Sequence, residues 1–166
     1  EKSMELMRDH FKPGISEQEL WSRFQMEAVS RGAEWIETRL LASGPRANPW
    51  YQECSSRPIL SGELMGFDTD LVGSYGYCTD MSRTWLCGDE KPTDEQKEIY
   101  TMGYEQIQNN MKLLKPGVTF KELTLNAKEY SKQEFRHYSV LFHGVGLCDE
   151  FPAIPFSWEL NENSFD

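Results

Sequence analysis

Apolar residues fall three or four apart at Met4, Met7 and Phe11 and then stop at Lys12-Pro13-Gly14, a pattern that predicts a short opening helix. Ser16-x-x-Glu19 has the form of a capping box, so a second helix begins there, with Leu20, Phe24 and Ala28 on one face until Gly32 ends it. Trp35 to Leu41 alternates and predicts a strand closing at Ser43-Gly44-Pro45. Gly66 to Gly88 reads as two strands with an irregular connection at Gly73 and Gly76. Helical spacing returns after Thr93-x-x-Gln96, where Tyr100, Gly103, Ile107, Met111 and Leu114 share one side as far as Lys115-Pro116-Gly117. Thr119-x-x-Glu122 caps the next helix, expected to run towards Lys132, and Tyr138 to Phe142 is a short predicted strand leading into His143-Gly144-Val145-Gly146.

The pattern repeats. Lys12 to Leu20 and Lys115 to Leu123 share five of nine residues, each stretch following an amphipathic helix and preceding a helix and then a strand. Leu41-Ala-Ser-Gly44 likewise corresponds to Leu141-Phe-His-Gly144. A repeated unit of helix, helix and strand predicts two similar halves about a pseudo-two-fold axis, with a site between them.

Chemistry concentrates in the Gly66 to Gly88 ribbon. Side chains alternate along a strand, so Asp68 and Asp70 point the same way, and Asp80 on the returning strand can face them. Aspartates beside glycines are ordinarily turn formers. A turn needs one Asp at its bend, however, whereas here two stand at strand spacing within the apolar frame of Leu64, Phe67, Leu71 and Val72. Three converging carboxylates repel and lose hydration unless a cation sits between them, which points to a metal. His143, at a strand end before two glycines, is either a structural histidine or a further ligand, and the carboxylates favour the second reading. Oxygen donors with one imidazole suit iron, manganese, cobalt or zinc.

Composition narrows the class. The 166 residues suit one domain, and 27 acidic against 17 basic residues give a formal charge of −10, which argues against nucleic acid or an anionic membrane as partner. No apolar run reaches the length of a membrane span, and the start has no signal-peptide pattern. Cys54, Cys78, Cys87 and Cys148 form no C-x-x-C pair and read as reduced thiols of a cytoplasmic protein.

The series Asp70, Asp80 and His143-Gly-x-Gly, the internal repeat and the phrase Ser82-Arg83-Thr84 resemble the pita-bread superfamily of creatinase, prolidase, Xaa-Pro aminopeptidase and methionine aminopeptidase. The resemblance implies an α+β pita-bread fold, a two-metal centre held by Asp, His and Glu, and a homodimer. It also implies that two Glu ligands follow on later strands beyond Asp166. Residues 1–166 are therefore expected to form an incomplete catalytic domain, without the N-terminal domain and the C-terminal strands.

The departures from the peptidases matter as much. Their phrase His-Gly-x-Gly-x-x-x-His-Glu-x-Pro appears here as His143 to Pro152, one residue shorter and with Asp149 where the second His would lie. Pro45 to Ile59 lacks the His that peptidases keep in that loop. In Phe67-Asp-Thr-Asp70, Gly76-Tyr-Cys-Thr-Asp80 and His143 to Glu150 the chain looks like the lyases of this fold that cleave dimethylsulfoniopropionate into dimethyl sulfide and acrylate. That likeness implies Asp68, Asp70, Asp80 and His143 as ligands of two metal ions, with iron foremost. It implies Asp149 as catalytic base and Tyr138 as a contact for the small-molecule substrate. A metallohydrolase of the Xaa-Pro aminopeptidase type and a non-catalytic relative are the alternatives. Arg83 as partner of a ligand carboxylate, Cys148 as a packing residue, and Trp50 and Tyr51 as pocket or subunit-contact residues remain open from the residues alone.

Overall fold

The computed structural model describes residues 1–50 and 52–161. The chain forms two compact units: Glu1–Pro92 with Val145–Asp149, and Thr93–Gly144 with the residues from Glu150 onward. The division at Pro92 falls where the second copy of the repeat begins.

In the first unit, α1 (Lys2–His10) and α2 (Glu17–Ser30) pack together. The expected capping box forms at Ser16, whose hydroxyl accepts from the Glu19 amide at 3.1 Å while the Glu19 carboxylate accepts from the Ser16 amide at 3.2 Å. Leu20, Phe24 and Ala28 are buried as their spacing requires, and the rings of Trp21, Phe24 and Phe67 pack against one another in tilted and edge-to-face pairs with centroids 5.0 to 5.5 Å apart. Burying a side chain the size of Phe67 stabilises the fold by about 1.5–3 kcal/mol.

Two three-stranded antiparallel sheets cover the helices' partner residues. One orders β1 (Trp35–Ile36), β4 (Asp70–Val72) and β5 (Cys78–Asp80); the other orders β2 (Leu41–Ser43), β3 (Leu64–Phe67) and β6 (Arg83–Leu86). The single strand expected over Trp35 to Leu41 is thus two strands in different sheets, and the ribbon from Gly66 breaks in the same way at Asp68-Thr69 and again at Met81-Ser82. Each of the three chain segments changes sheet at the same level. Local alternation reveals the strands but not the bend, because a bend is set by which neighbour each half pairs with.

A buried carboxylate braces the loop that follows β2. Glu17, fully buried, accepts from the amide and hydroxyl of Ser43 at 2.9 and 2.8 Å and from those of Ser55 at 2.9 and 2.6 Å, and it pairs with Arg46. Burial works to raise its affinity for protons, but the hydrogen bonds from Ser55 and Ser43 prevail and hold the carboxyl below its ordinary value of 4.5.

The second unit contains α3 (Asp94–Met111), α4 (Phe120–Asn126) and most of a two-stranded sheet of β7 (Phe142–Val145) and β8 (Asp149–Ile154), whose Val145 and Asp149 belong to the first unit. Both expected capping boxes form, at Thr93 with Gln96 and at Thr119 with Glu122. The stripe predicted on α3 is present, but among the described residues it stays open: Tyr100 is 62 %, Ile107 59 % and Met111 57 % exposed. The side of α3 that packs carries Gln106 and Asn110. Asn110 accepts from the Lys128 amide at 2.7 Å and donates to the Lys128 carbonyl at 3.2 Å, and Gln106 donates to the same carbonyl at 3.1 Å. Those bonds take backbone groups that a longer helix would use, so α4 stops at Asn126, short of the expected Lys132. The predicted strand over Tyr138 to Phe142 is also displaced. Pairing begins with the Leu141 amide on the Ile154 carbonyl at 2.9 Å, and Pro155 beyond it has no N–H to extend the ladder, so the strand starts at Phe142 and contains His143.

Candidate metal centre

Asp70 and Asp80 face each other across β4 and β5 as directly paired residues, the arrangement expected from the sequence. Asp68 reaches the same place by another route. It lies in the bend between β3 and β4 rather than on one continuous strand with Asp70, and Thr69 between them is fully buried. Carboxylate oxygens of Asp68, Asp70 and Asp80 all come within 4.8 Å of one another. At that separation each like-charged pair repels by about 3 kcal/mol in a partly screened setting.

Hydroxyl groups orient two of the three. Ser82 donates to Asp68 Oδ1 at 2.7 Å, and Thr38 donates to Asp70 Oδ2 at 2.6 Å. The Thr69 amide also donates to Asp68 Oδ1, at 3.1 Å. All of these residues stand at the line where the two sheets bend apart, so the bend that hid the strands also gathers the site. Neutral donors fix direction without supplying countercharge, and such hydroxyl partners are what ligating carboxylates ordinarily have.

Asp149 opens β8 within the tip segment that belongs to the first unit. The Cys78 amide donates to the Gly146 carbonyl at 2.6 Å, which lays this tip beside β5 and brings Asp149 and Asp80 oxygens within 4.8 Å. Burial first, then the negative charges of Asp149 and Glu37, pushes the Cys78 thiol up. A set of carboxylates held by hydroxyls fits a hard divalent cation.

The second unit holds His143 and Tyr138. His143 Nδ1 faces the Gly144 carbonyl at 3.1 Å, a contact that favours the proton on Nδ1 and a lone pair on Nε2. The Tyr138 ring lies 6.0 Å from the imidazole and its hydroxyl donates to the Glu150 carboxylate. Gly144 is needed where it stands, since a Cβ there would meet the Phe151 carbonyl oxygen at 2.5 Å, and β7 could not approach β8 so closely. A cleft of about 430 Å³ in this unit has Tyr138 and His143 in its wall.

Several expectations change. Arg83 is exposed and donates to the Ser82 carbonyl at 2.7 Å; its neighbour Ser82 is the residue that holds Asp68. Cys148 is exposed rather than packed, while Cys54 and Cys87 are buried and all four thiols are free. Trp50 packs half-buried against Gly66, and Tyr51 lies outside the described residues. Sequence reasoning missed Ser82 and Thr38. Ser82 was signalled by its place two residues after Asp80, whereas Thr38 depends on the pairing of β1 with β4 and carries no local sign.

Residues 1–164 match metallopeptidase family M24. The chain is 47% identical over 152 residues to the dimethylsulfoniopropionate lyase DddP of Roseovarius nubinhibens, covering 91% of this chain and 34% of that protein. It is 48% identical over 159 residues to the dimethylsulfoniopropionate lyase DddP of Roseobacter denitrificans, covering 93% and 35%. Among solved structures, the prolidase from Pyrococcus furiosus aligns with a TM-score of 0.80 at 29% identity, over 93% of this chain and 46% of that one. The chain thus spans about a third of the length of the curated lyases it matches.

Proposed function

The chain belongs to metallopeptidase family M24 and has the pita-bread fold over part of that family's length, and we propose that it is the catalytic part of a metal-dependent lyase that cleaves dimethylsulfoniopropionate to dimethyl sulfide and acrylate. The observation that carries the reading is Asp149 beside the Asp80 carboxylate, at a place where the peptidase phrase has a histidine. Identities of 47% and 48% to the two lyases support it.

Asp68, Asp70, Asp80 and His143 would hold two metal ions, which we assign as iron, although manganese, cobalt and zinc suit the same donors. Bound metal supplies Lewis-acid neutralisation of the substrate carboxylate and of charge developing at the α-carbon. Asp149 accepts the α-proton as general base. The electrons of that C–H bond form the new double bond, and those of the C–S bond leave on sulfur, so sulfonium becomes neutral dimethyl sulfide and acrylate remains. Asp149, now protonated, returns its proton to solvent. Tyr138 offers its ring to the cationic sulfur, an interaction worth roughly 0.5–2 kcal/mol, and Glu150 steadies that ring through the phenol hydroxyl. A homodimer and a cytoplasmic address belong to the same proposal. In the described structure no helix is long and apolar enough to cross a membrane.

The second reading, hydrolysis of an X-Pro peptide, is favoured by the likeness to a prolidase. Against it stands a loop from Pro45 to Ile59 without histidine and an aspartate at position 149. The test is release of acrylate and dimethyl sulfide by the full-length, metal-loaded protein. Asp149→Ala is expected to lower the rate at least about a thousandfold with metal content unchanged. Proline release from an X-Pro dipeptide without acrylate formation would overturn the lyase reading in favour of the hydrolase. Neither product, with no bound metal, would favour a non-catalytic relative.

A further inference from the structure

β3 is flanked by β2 and β6, and Ala42, Gly66 and Thr84 stand side by side across the three strands. Their small side chains leave a shallow trough on one face of this sheet. Trp50 lies over it: a Cβ added at Gly66 would meet Trp50 Cζ3 at 2.6 Å, so only glycine allows the indole to settle on the backbone there. Gly66 and Asp68 are two residues apart with fully buried Phe67 between them, so they share a face, and Ser82, which bonds Asp68, continues the row from Thr84. Gly66, on which the indole rests, is therefore about 7 Å along the chain from Asp68 and presents the same face.

The loop that carries Trp50 is anchored at both ends by one group. Glu17 holds Ser43 and Arg46 before it and Ser55 after it, and Arg46 also donates to the Glu53 carbonyl at 2.8 Å. A buried carboxylate clamping both stems holds the described residues that flank this segment before any ligand arrives, which lowers the ordering cost of binding.

We infer that Trp50 is a specificity-determining residue, a further aromatic wall that, in addition to Tyr138, receives the onium cation of a substrate whose carboxylate is held by the metal that Asp68, Asp70 and Asp80 would bind. The inference rests on the lyase reading for its substrate, in which two methylene groups separate the carboxylate from the positive sulfur. It requires only that the cation, projecting along the sheet from Asp68, meet the electron-rich indole face or edge within about 6 Å.

The experiment uses the full-length, metal-loaded protein with Trp50→Phe and Trp50→Leu. The probes are dimethylsulfoniopropionate, its unreactive trimethylammonium counterpart, and 4,4-dimethylpentanoate, a neutral-headed acid of similar shape. Wild type is expected to bind the trimethylammonium acid at least about tenfold more tightly than the neutral acid. Trp50→Leu should reduce that preference at least about threefold and raise KM for dimethylsulfoniopropionate by about 2- to 30-fold, with kcat changed less than about twofold. Trp50→Phe, which keeps a ring, should stay within about threefold of wild type in KM while losing the ligand-dependent change in tryptophan emission. Wild-type KM and cation preference in Trp50→Leu would overturn the inference, and so would an emission change that survives in Trp50→Phe. If no acrylate forms with wild type but the cation preference still depends on Trp50, the lyase reading fails and the aromatic site stands.

Discussion

Among the described residues of this 166-residue chain, the two units carry the same sequence pattern but bury very different amounts of it. Both begin with a helix, a Lys-Pro-Gly stop and a capping box. In the first unit Met7, Leu20, Leu41, Ile59, Met65 and Phe67 are fully buried between helices and two sheets, and the acidic residues project from the bend of those sheets. In the second, the helix stripe lies open among the described residues, and backbone contacts of Asn110 with Lys128 secure what hydrophobic packing does not. The carboxylates are thus placed by a dry core that resists distortion. Preorganisation is expected where like charges must be forced together, because the fold itself has to carry their repulsion.

The strongest way to break this contrast is a matched pair of truncations. Phe67→Ala should cost about 3–5 kcal/mol in urea unfolding. Ile107→Ala on the α3 stripe should cost less than about 0.5 kcal/mol in a protein of residues 1–166, where that stripe is exposed. Equal costs would mean that the second unit is packed as tightly as the first.

A smaller effect sharpens the role of the buried carboxylate. Glu17→Gln should cost about 1–3 kcal/mol at neutral pH, since Arg46 loses its charge partner and a buried acceptor is replaced by a donor. The sign with pH follows from the lowered proton affinity of folded Glu17: its contribution is present above the ordinary value of 4.5 and fades as pH falls through the folded value. The melting temperature of Glu17→Gln should therefore fall less steeply than that of wild type below about pH 4.5. Parallel curves for the two proteins would remove Glu17 from the acid response.

The smallest effect concerns the repeat. Thr119→Ala and Ser16→Ala should each cost about 1 kcal/mol, as capping boxes with the same bonds do. Amide exchange in α4 and α2 reads each loss separately, and a cost at only one of them would show that the two copies are not equivalent.

Helices, caps, the repeat and the pairing of Asp70 with Asp80 were legible because each follows from spacing along a short stretch of chain. The class of site was legible for the same reason, through three aspartates that no turn requires. What was hidden depends on pairing between distant segments: the sheet change at Asp68-Thr69, the split of Trp35 to Leu41, the Thr38 hydroxyl on Asp70, and the loss of the last turn of α4 to Asn110. The α3 stripe lies on one side of a helix, as its spacing predicts. Periodicity says which residues share a face but not whether anything covers it.

The central proposal is that Asp68, Asp70, Asp80 and His143 are ligands of the same metal ions. The most direct test is the metal content of the dialysed full-length protein, by plasma mass spectrometry, for wild type, Asp80→Ala and His143→Ala. Two equivalents in wild type and less than one in either variant, with circular dichroism unchanged, is the predicted result. Two equivalents retained in Asp80→Ala or in His143→Ala would contradict it.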